Sequence, residues 1–142
     1  MFKNILLPID LEDGALSRQV LDATLDQCRD PDARLYVLTV VPGFGMSIVS
    51  QYFPENYEEE SIATAAARLE KFVADNIPSK IKTKVMVANG SIYEEILKAV
   101  KQTGCDLVVM GAHRPGLEEF LLGPNAAKVV RHAGCSVFVV RP

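Results

Sequence analysis

The feature of this sequence that most constrains its fold is a regular alternation between short apolar runs and longer segments whose apolar residues recur at helical spacing. The first run, residues 3–9, is continuously apolar over Ile5, Leu6 and Leu7, which is typical of a strand buried on both faces. Similar runs of β-forming residues follow at 33–41, 81–88, 106–110 and 136–141. Because a helical segment separates each pair, consecutive strands need crossovers and lie parallel. The pattern predicts an α/β fold: a doubly wound, five-stranded parallel sheet in a Rossmann-like sandwich.

The segments between these runs are predicted to be helices. The first covers residues 14–29 and the second ends at Pro78. Their predicted inner faces carry Val20, Leu21, Thr24, Leu25 and Cys28 in the first helix, and Ile62, Ala66, Leu69, Val73 and Ile77 in the second. No regular structure is predicted for residues 46–56.

The third helix is predicted to open with a capping box and the fourth with a proline. Ser91 and Glu94 have the spacing of the box, and Gly104 ends the helix that follows. The residues predicted to face inward there are Ile92, Ile96, Ala99 and Val100. Pro124 suits the first position of the last helix, which contains Ala126, Ala127, Val129 and Val130.

Length and composition indicate one globular domain, residues 1–142, with 49% hydrophobic and 23% charged residues. A net charge of −3 without any run of Lys and Arg argues against a nucleic-acid or membrane surface. No apolar run reaches the roughly 18 residues of a membrane span, and residues 1–10 lack the pattern of a secretory signal. We therefore expect a cytoplasmic protein.

The three cysteines, Cys28, Cys105 and Cys135, are widely spaced among apolar neighbours. This spacing indicates neither a disulfide framework nor a CxxC metal site. We interpret all three as small core residues.

Ligands of doubly wound sheets bind beyond the carboxyl ends of the strands, where the strand order reverses. The segment after the fourth strand, 111–125, contains Gly111, Gly116 and Gly123, together with His113 and Arg114. Such a segment suits phosphate binding, because glycines admit backbone N–H groups to an anion and a helix amino terminus adds partial positive charge. On spacing alone, glycines that merely form turns and a helix cap explain it equally well.

Known nucleotide motifs are absent. Gly111 and Gly116 have P-loop spacing, but Leu117 and Glu118 occupy the places of the Lys and Ser/Thr. The first strand is followed by an acidic turn, which would repel the pyrophosphate of a dinucleotide.

Single polar residues give weaker signals. Asp10 is a candidate to contact adenine or ribose, or to hold a hydrated magnesium ion, and helix capping near Gly14 is its alternative role. His132 beside Arg131 suits the carboxyl end of a helix dipole better than it suits a catalytic base. No nucleophile elbow or metal-ligand cluster is recognisable, so no catalytic residue is predicted.

Over essentially its whole length the sequence resembles the universal stress protein family. Ile5-Leu6-Leu7-Pro8-Ile9-Asp10 resembles the first strand and its Pro-x-Asp ending, and Leu38-Thr39-Val40-Val41-Pro42 resembles the second strand. Stronger matches are 106–113, the Leu121-Leu122-Gly123 triplet, 128–133 and 137–140, in the order and spacing of the C-terminal half. The resemblance implies a fold like that of the adenine nucleotide alpha hydrolases, with ATP, ADP or AMP as ligand, with or without Mg²⁺.

The sequence departs from the G-x2-G-x9-G-(S/T) pattern of ATP-binding members. Gly111 and Gly123 match the first and last glycines, but Arg114-Pro115 stands near the second and Pro124 replaces the hydroxyl residue. The His-Arg-Pro and Leu-Leu-Gly-x-Asn form is similar to an enterobacterial-type subgroup. Arg114 and Asn125 are the candidates to replace the lost donors.

The resemblance also implies which residues surround the nucleotide. Those implied on the nucleoside side are Pro8, Ile9, Asp10, Val40 and Met110. Those implied around the phosphates are Gly111, His113, Arg114, Gly116, Gly123, Pro124 and Asn125, with Gly90 near the mouth. The resemblance also implies a homodimer, in which the final strands of two copies pair through residues 137–140.

The function expected from this resemblance is a nucleotide-binding stress-response regulator. An alternative is an enzyme of the same fold, either a weak ATPase or a self-phosphorylating or nucleotidyl-transferring protein. A receiver domain fits less well, because the third strand ends at Ala88-Asn89 rather than at an acceptor Asp. The acidic first loop also argues against a flavodoxin-like electron carrier.

Overall fold

The computed structural model describes residues 1–11, 18–41, 57–112 and 123–141. Strands and helices alternate along them. They are, in chain order, β1 (Asn4–Pro8), α1 (Arg18–Gln27), β2 (Arg34–Val41), α2 (Tyr57–Asn76), β3 (Lys82–Asn89), α3 (Ile92–Thr103), β4 (Leu107–Gly111), α4 (Pro124–His132) and β5 (Ser136–Val140). The prediction of a βα alternation is confirmed.

Within the described residues the strands form one parallel five-stranded sheet in the order β3-β2-β1-β4-β5. From β1 the chain winds outward to β3, returns past β1 to β4, and continues to β5. The predicted doubly wound topology is therefore confirmed, and the strand order reverses between β1 and β4.

Each face of the sheet has its own hydrophobic core, because successive side chains of a strand point to opposite faces. Ile5 and Leu7 of β1 pack with Val20 and Leu21 of α1 and with Leu69 of α2. On the opposite face the core joins β1, β2 and β4 to α3 and α4, through Leu6, Leu38, Val108, Ile96, Ala99, Val100, Ala126 and Val129. The three inner strands are thus apolar on both sides, which explains their continuous hydrophobic runs.

Two details of α3 differ from the prediction. Ser91 is the N-cap residue, but its side chain makes no capping hydrogen bond, and Glu94 accepts a hydrogen bond from the Tyr93 hydroxyl at 3.1 Å. The capping box is therefore not formed. Ile92 was expected to face inward but is 38% exposed, because the helix buries only its later positions Ile96, Ala99 and Val100. Gly104 ends the helix in the left-handed conformation, as predicted.

The cysteines are free thiols. Cys28 and Cys105 are buried as predicted, whereas Cys135 is only partly buried. None of the helices in the described ranges is both long and apolar enough to cross a membrane.

Candidate functional site

The candidate site is the crevice at the carboxyl edge of the sheet, where β1 and β4 lie side by side. Ile5 and Leu6 pair with Leu107 and Val108. Continuing this register places the end of β1 level with the end of β4, so that Pro8 lies near Met110. The two segments that the sequence marked separately thus meet at the point where the strand order reverses.

The end of β1 is held against β2. The N–H of Ile9 donates to the carbonyl of Leu38 at 2.8 Å, and the Ile9 side chain is buried. Asp10 comes next and is exposed. Its carboxylate therefore lies at the rim of the crevice, where a ribose hydroxyl, an amino group or a hydrated cation is a suitable partner.

The end of β4 provides an apolar wall followed by a bare backbone. Met110 is buried in the same core as Leu38, and the partly buried Val40 packs against that core. Gly111 is exposed, yet a β-carbon built there would lie 3.2 Å from Cγ2 of Val20. Because Gly111 has no side chain, its backbone can lie close to α1 while remaining exposed to solvent.

Gly90 follows β3, at the same carboxyl edge of the sheet but two strands away from β1. Its N–H donates to the carbonyl of Val41 at 3.0 Å, and its φ of +144° is a conformation that other residues rarely adopt. A β-carbon there would lie 2.8 Å from Oε1 of Glu95. Glu95 is only 15% exposed and pairs with Lys98 at 3.2 Å.

The amino terminus of α4 has the features of an anion-binding helix end. Its N-cap, Gly123, has a φ of 82° and provides no side-chain cap, and no acidic residue lies in the first turn. Pro124 occupies the first position of the helix and has no N–H to offer, whereas Asn125 and Ala126 do. The partial positive charge of this helix end is therefore not offset by a carboxylate in its own first turn.

The predicted site residues fall into two groups. The structure places ten of them at the strand ends of this edge or at the start of α4: Pro8, Ile9, Asp10, Val40, Gly90, Met110, Gly111, Gly123, Pro124 and Asn125. His113, Arg114 and Gly116 lie outside the described residues.

Sequence reasoning missed two relationships beside this site. One is the contact between Glu95 and Gly90, and the other is the position of Lys128 Nζ, 4.5 Å from the centre of the Tyr93 ring. The second joins α3 to α4 across a long stretch of sequence, so no local pattern signals it. The pairing of Glu95 with Lys98 has a helical i, i+3 spacing that the sequence does display.

Comparison with known proteins identifies the family. The model of the universal stress protein family matches residues 1–141. The chain belongs to the universal stress protein family. Universal stress protein G of Escherichia coli O157:H7 is 31% identical to it over 147 aligned positions, which cover 99% of this chain and 100% of that protein.

Solved structures of other proteins share the fold. The protein MJ0577 superimposes with a TM-score of 0.79 at 24% identity, covering 100% of this chain and 97% of its own. A universal stress protein in complex with cAMP covers 98% of this chain and 97% of its own, with a TM-score of 0.62 at 19% identity. The protein from Archaeoglobus fulgidus in complex with dAMP covers 96% of each chain, with a TM-score of 0.58 at 15% identity. These likenesses confirm the α/β architecture.

Proposed function

We propose that this protein binds an adenine nucleotide, ATP or its di- or monophosphate, at the carboxyl edge of its sheet, and acts in the cytoplasm as a homodimeric stress-response regulator. The observation that carries the proposal is the uncapped amino terminus of α4 beside the end of β4. An anion there would accept from the first-turn N–H groups and gain from the helix dipole. Structures of two family members in complex with cAMP and dAMP support an adenine nucleotide as the source of that anion.

The nucleoside is assigned to the apolar end of the crevice. Met110 and Val40 provide apolar surface, and the rim carboxylate of Asp10 is a hydrogen-bond acceptor for ribose or adenine. Pro8 and Ile9 complete this side, and Gly90 lies at the mouth. The same Asp10 is the carboxylate we assign to a hydrated Mg²⁺ accompanying a triphosphate.

The phosphates are assigned to the helix end. Gly111 exposes its backbone, Gly123 and Pro124 set the entry to α4, and the amide of Asn125 replaces the hydroxyl that Pro124 lacks. His113, Arg114 and Gly116 belong to this group on the sequence resemblance alone.

The test is calorimetric titration of the protein with ATP and with adenosine. ATP is expected to bind more tightly, and Asn125→Ala to weaken ATP binding by roughly tenfold while leaving adenosine unchanged, as for the loss of one hydrogen bond to a charged group. Asn76→Ala is the matched control, because Asn76 ends α2 and its amide donates to the carbonyl of Phe72 at 2.9 Å. Equal affinities for ATP and adenosine would remove the phosphate role from this helix end.

The homodimer is assigned to the edge strand β5. In the sheet formed by the described residues, β5 is an outermost strand. It carries no charged side chain, and its Phe138 is 39% exposed. An apolar, uncharged edge of this kind is a template for pairing with another strand. A second copy of the chain, paired antiparallel, would cover it.

A further inference from the structure

A second cavity lies at the opposite edge of the sheet from the candidate nucleotide site. It has a volume of about 290 Å³ and is bounded by the last turns of α3 and α4 and the starts of β4 and β5. Two cysteines, Cys105 and Cys135, line it together with Lys101 and His132. Cys105 is buried and Cys135 partly exposed, so the cavity offers solvent a path to a pair of thiols.

The strand register places these two cysteines next to each other, just before the starts of two neighbouring strands. Leu107 of β4 pairs with Ser136 of β5, so the preceding residues, Asp106 and Cys135, lie opposite each other. Cys105 precedes Asp106 and is therefore the diagonal neighbour of Cys135. In a regular sheet, with strands ~4.8 Å apart and a rise of ~3.3 Å per residue, two α-carbons in this diagonal relation are about 6 Å apart. Disulfides form at α-carbon separations of roughly 4.4–6.8 Å.

Both side chains also point to the same side of the sheet. Cys105 belongs to the core formed with α3 and α4, and Cys135 packs against that same core. The chain bends at Asp106, between Cys105 and the first residue of β4, which turns the thiol toward this face. Cys28 belongs to the other core, on the far side of the sheet, and is the natural internal control.

A metal site is a poorer explanation of this pair. Among the residues that the structure describes, no three His, Cys, Asp or Glu side chains are grouped so as to hold a metal ion. The Thr103 hydroxyl donates to the carbonyl of Ala99 at 2.6 Å and lies 2.9 Å from Cys105 Sγ, a contact that holds the sulfur in place beside the cavity.

We propose that this cavity is a thiol-oxidation site, in which a low-molecular-weight disulfide converts Cys105 and Cys135 into an intramolecular disulfide. The more exposed Cys135 loses its proton and attacks one sulfur of the small disulfide, which releases one small thiol and leaves a mixed disulfide. Cys105 then loses its proton, attacks Sγ of Cys135 and releases the second small thiol. Two protein thiols are oxidised by two electrons, and one small disulfide is reduced to two thiols.

The bond would close a ring that contains the whole β4–α4 crossover. That crossover leads from Gly111 to Gly123, so oxidation would link a residue just before β4 to a residue just after α4, at the opposite edge of the sheet from these two glycines. The thiol chemistry itself does not depend on nucleotide binding.

The experiment exposes the reduced, folded protein to oxidised glutathione in mildly alkaline buffer, blocks remaining thiols with N-ethylmaleimide, and maps peptides without reduction by mass spectrometry. The expected product is a Cys105–Cys135 cross-linked peptide, with Cys28 carrying the maleimide. Lys128 and Arg131 lie between the two cysteines, so tryptic cleavage places the two partners on separate peptides before their masses are measured.

Three variants make the result decisive. Cys105→Ser is expected to accumulate the glutathione adduct at Cys135, Cys135→Ser to leave Cys105 as a thiol, and Cys28→Ser to form the cross-link at the unaltered rate. The proposal is overturned if all three thiols are recovered as maleimide adducts. It is equally overturned if Cys135 remains a glutathione adduct in the unaltered protein, or if it bonds to another copy of the chain.

Discussion

Gly90 and Glu95 are packed so closely that a β-carbon on Gly90 would lie 2.8 Å from Oε1 of the glutamate. The φ of +144° at Gly90 adds a backbone constraint to this steric one. Together they constrain the turn between β3 and α3, which lies at the same carboxyl edge of the sheet as the candidate nucleotide site. The backbone conformation therefore favours glycine at this position, and any other residue would also displace the end of the Glu95 side chain.

Replacing Gly90 with alanine is expected to destabilise the fold. The strained backbone costs about 1–3 kcal/mol, and the glutamate must also move. Urea unfolding of Gly90→Ala against the unaltered protein measures this loss. Gly134→Ala is the matched control, since a β-carbon there meets nothing within 4 Å, and we expect it to change the free energy of unfolding by less than ~0.5 kcal/mol. Equal effects at the two glycines would contradict the argument.

The carboxylate of Asp106 joins the starts of β1 and β4. It accepts hydrogen bonds from the backbone N–H groups of Lys3 and Asn4, each at 3.0 Å, and its own N–H donates to the carbonyl of Asn4 at 2.9 Å. Asp106→Ala removes two bonds to a charged acceptor, so we expect a loss of about 2 kcal/mol in the free energy of unfolding.

The control for Asp106 is another aspartate in a different setting. Asp22 pairs with Arg18 at 3.0 Å, but both side chains are more than half exposed. Asp22→Ala should therefore cost less than ~0.5 kcal/mol, because solvent and salt screen the pair. If chemical denaturation ranks the two variants in the reverse order, Asp106 does not have the assigned role.

The inner strands could be predicted from the sequence because a strand that is buried on both faces needs a continuous run of apolar residues. Leu6 and Leu7 point to opposite cores, and both side chains are fully buried. The carboxyl edge could also be predicted, since parallel strands end at the same edge. The start of α3 could not, because whether Ser91 caps the helix depends on side-chain orientation in solvent rather than on spacing.

Contacts between elements distant in sequence escaped prediction for a related reason. Tyr93 and Lys128 meet only because α3 and α4 pack on one face of the sheet. Cys105 and Cys135 share a cavity only because β4 and β5 are neighbours in a particular register. Such pairs become visible once the strand order is known.

The edge strand β5 gives a test of the proposed dimer. Val140 accepts from Ala112 at 3.0 Å and therefore points its backbone groups toward β4, so the N–H of the preceding Val139 points toward the open edge. Val139→Pro should remove an outward donor and leave the bonds to β4 in place. We expect a monomer by sedimentation velocity with an unaltered far-UV circular dichroism spectrum. A variant that stays dimeric would place the interface elsewhere.

Because Cys28 is buried, the free energy of unfolding is expected to change with pH in the alkaline range. Desolvation raises the pKa of this thiol from 9.0 to about 11. Between those values the unfolded chain loses the proton while the folded protein keeps it, so the folded state binds more protons and the free energy of unfolding falls as pH rises. Comparing the pH slope of stability in that window for the unaltered protein and for Cys28→Ala isolates this effect, because Cys105 and Cys135 are common to both. The variant is less stable at neutral pH but should show the shallower decline, and parallel slopes would mean that Cys28 ionises equally in the folded and unfolded states.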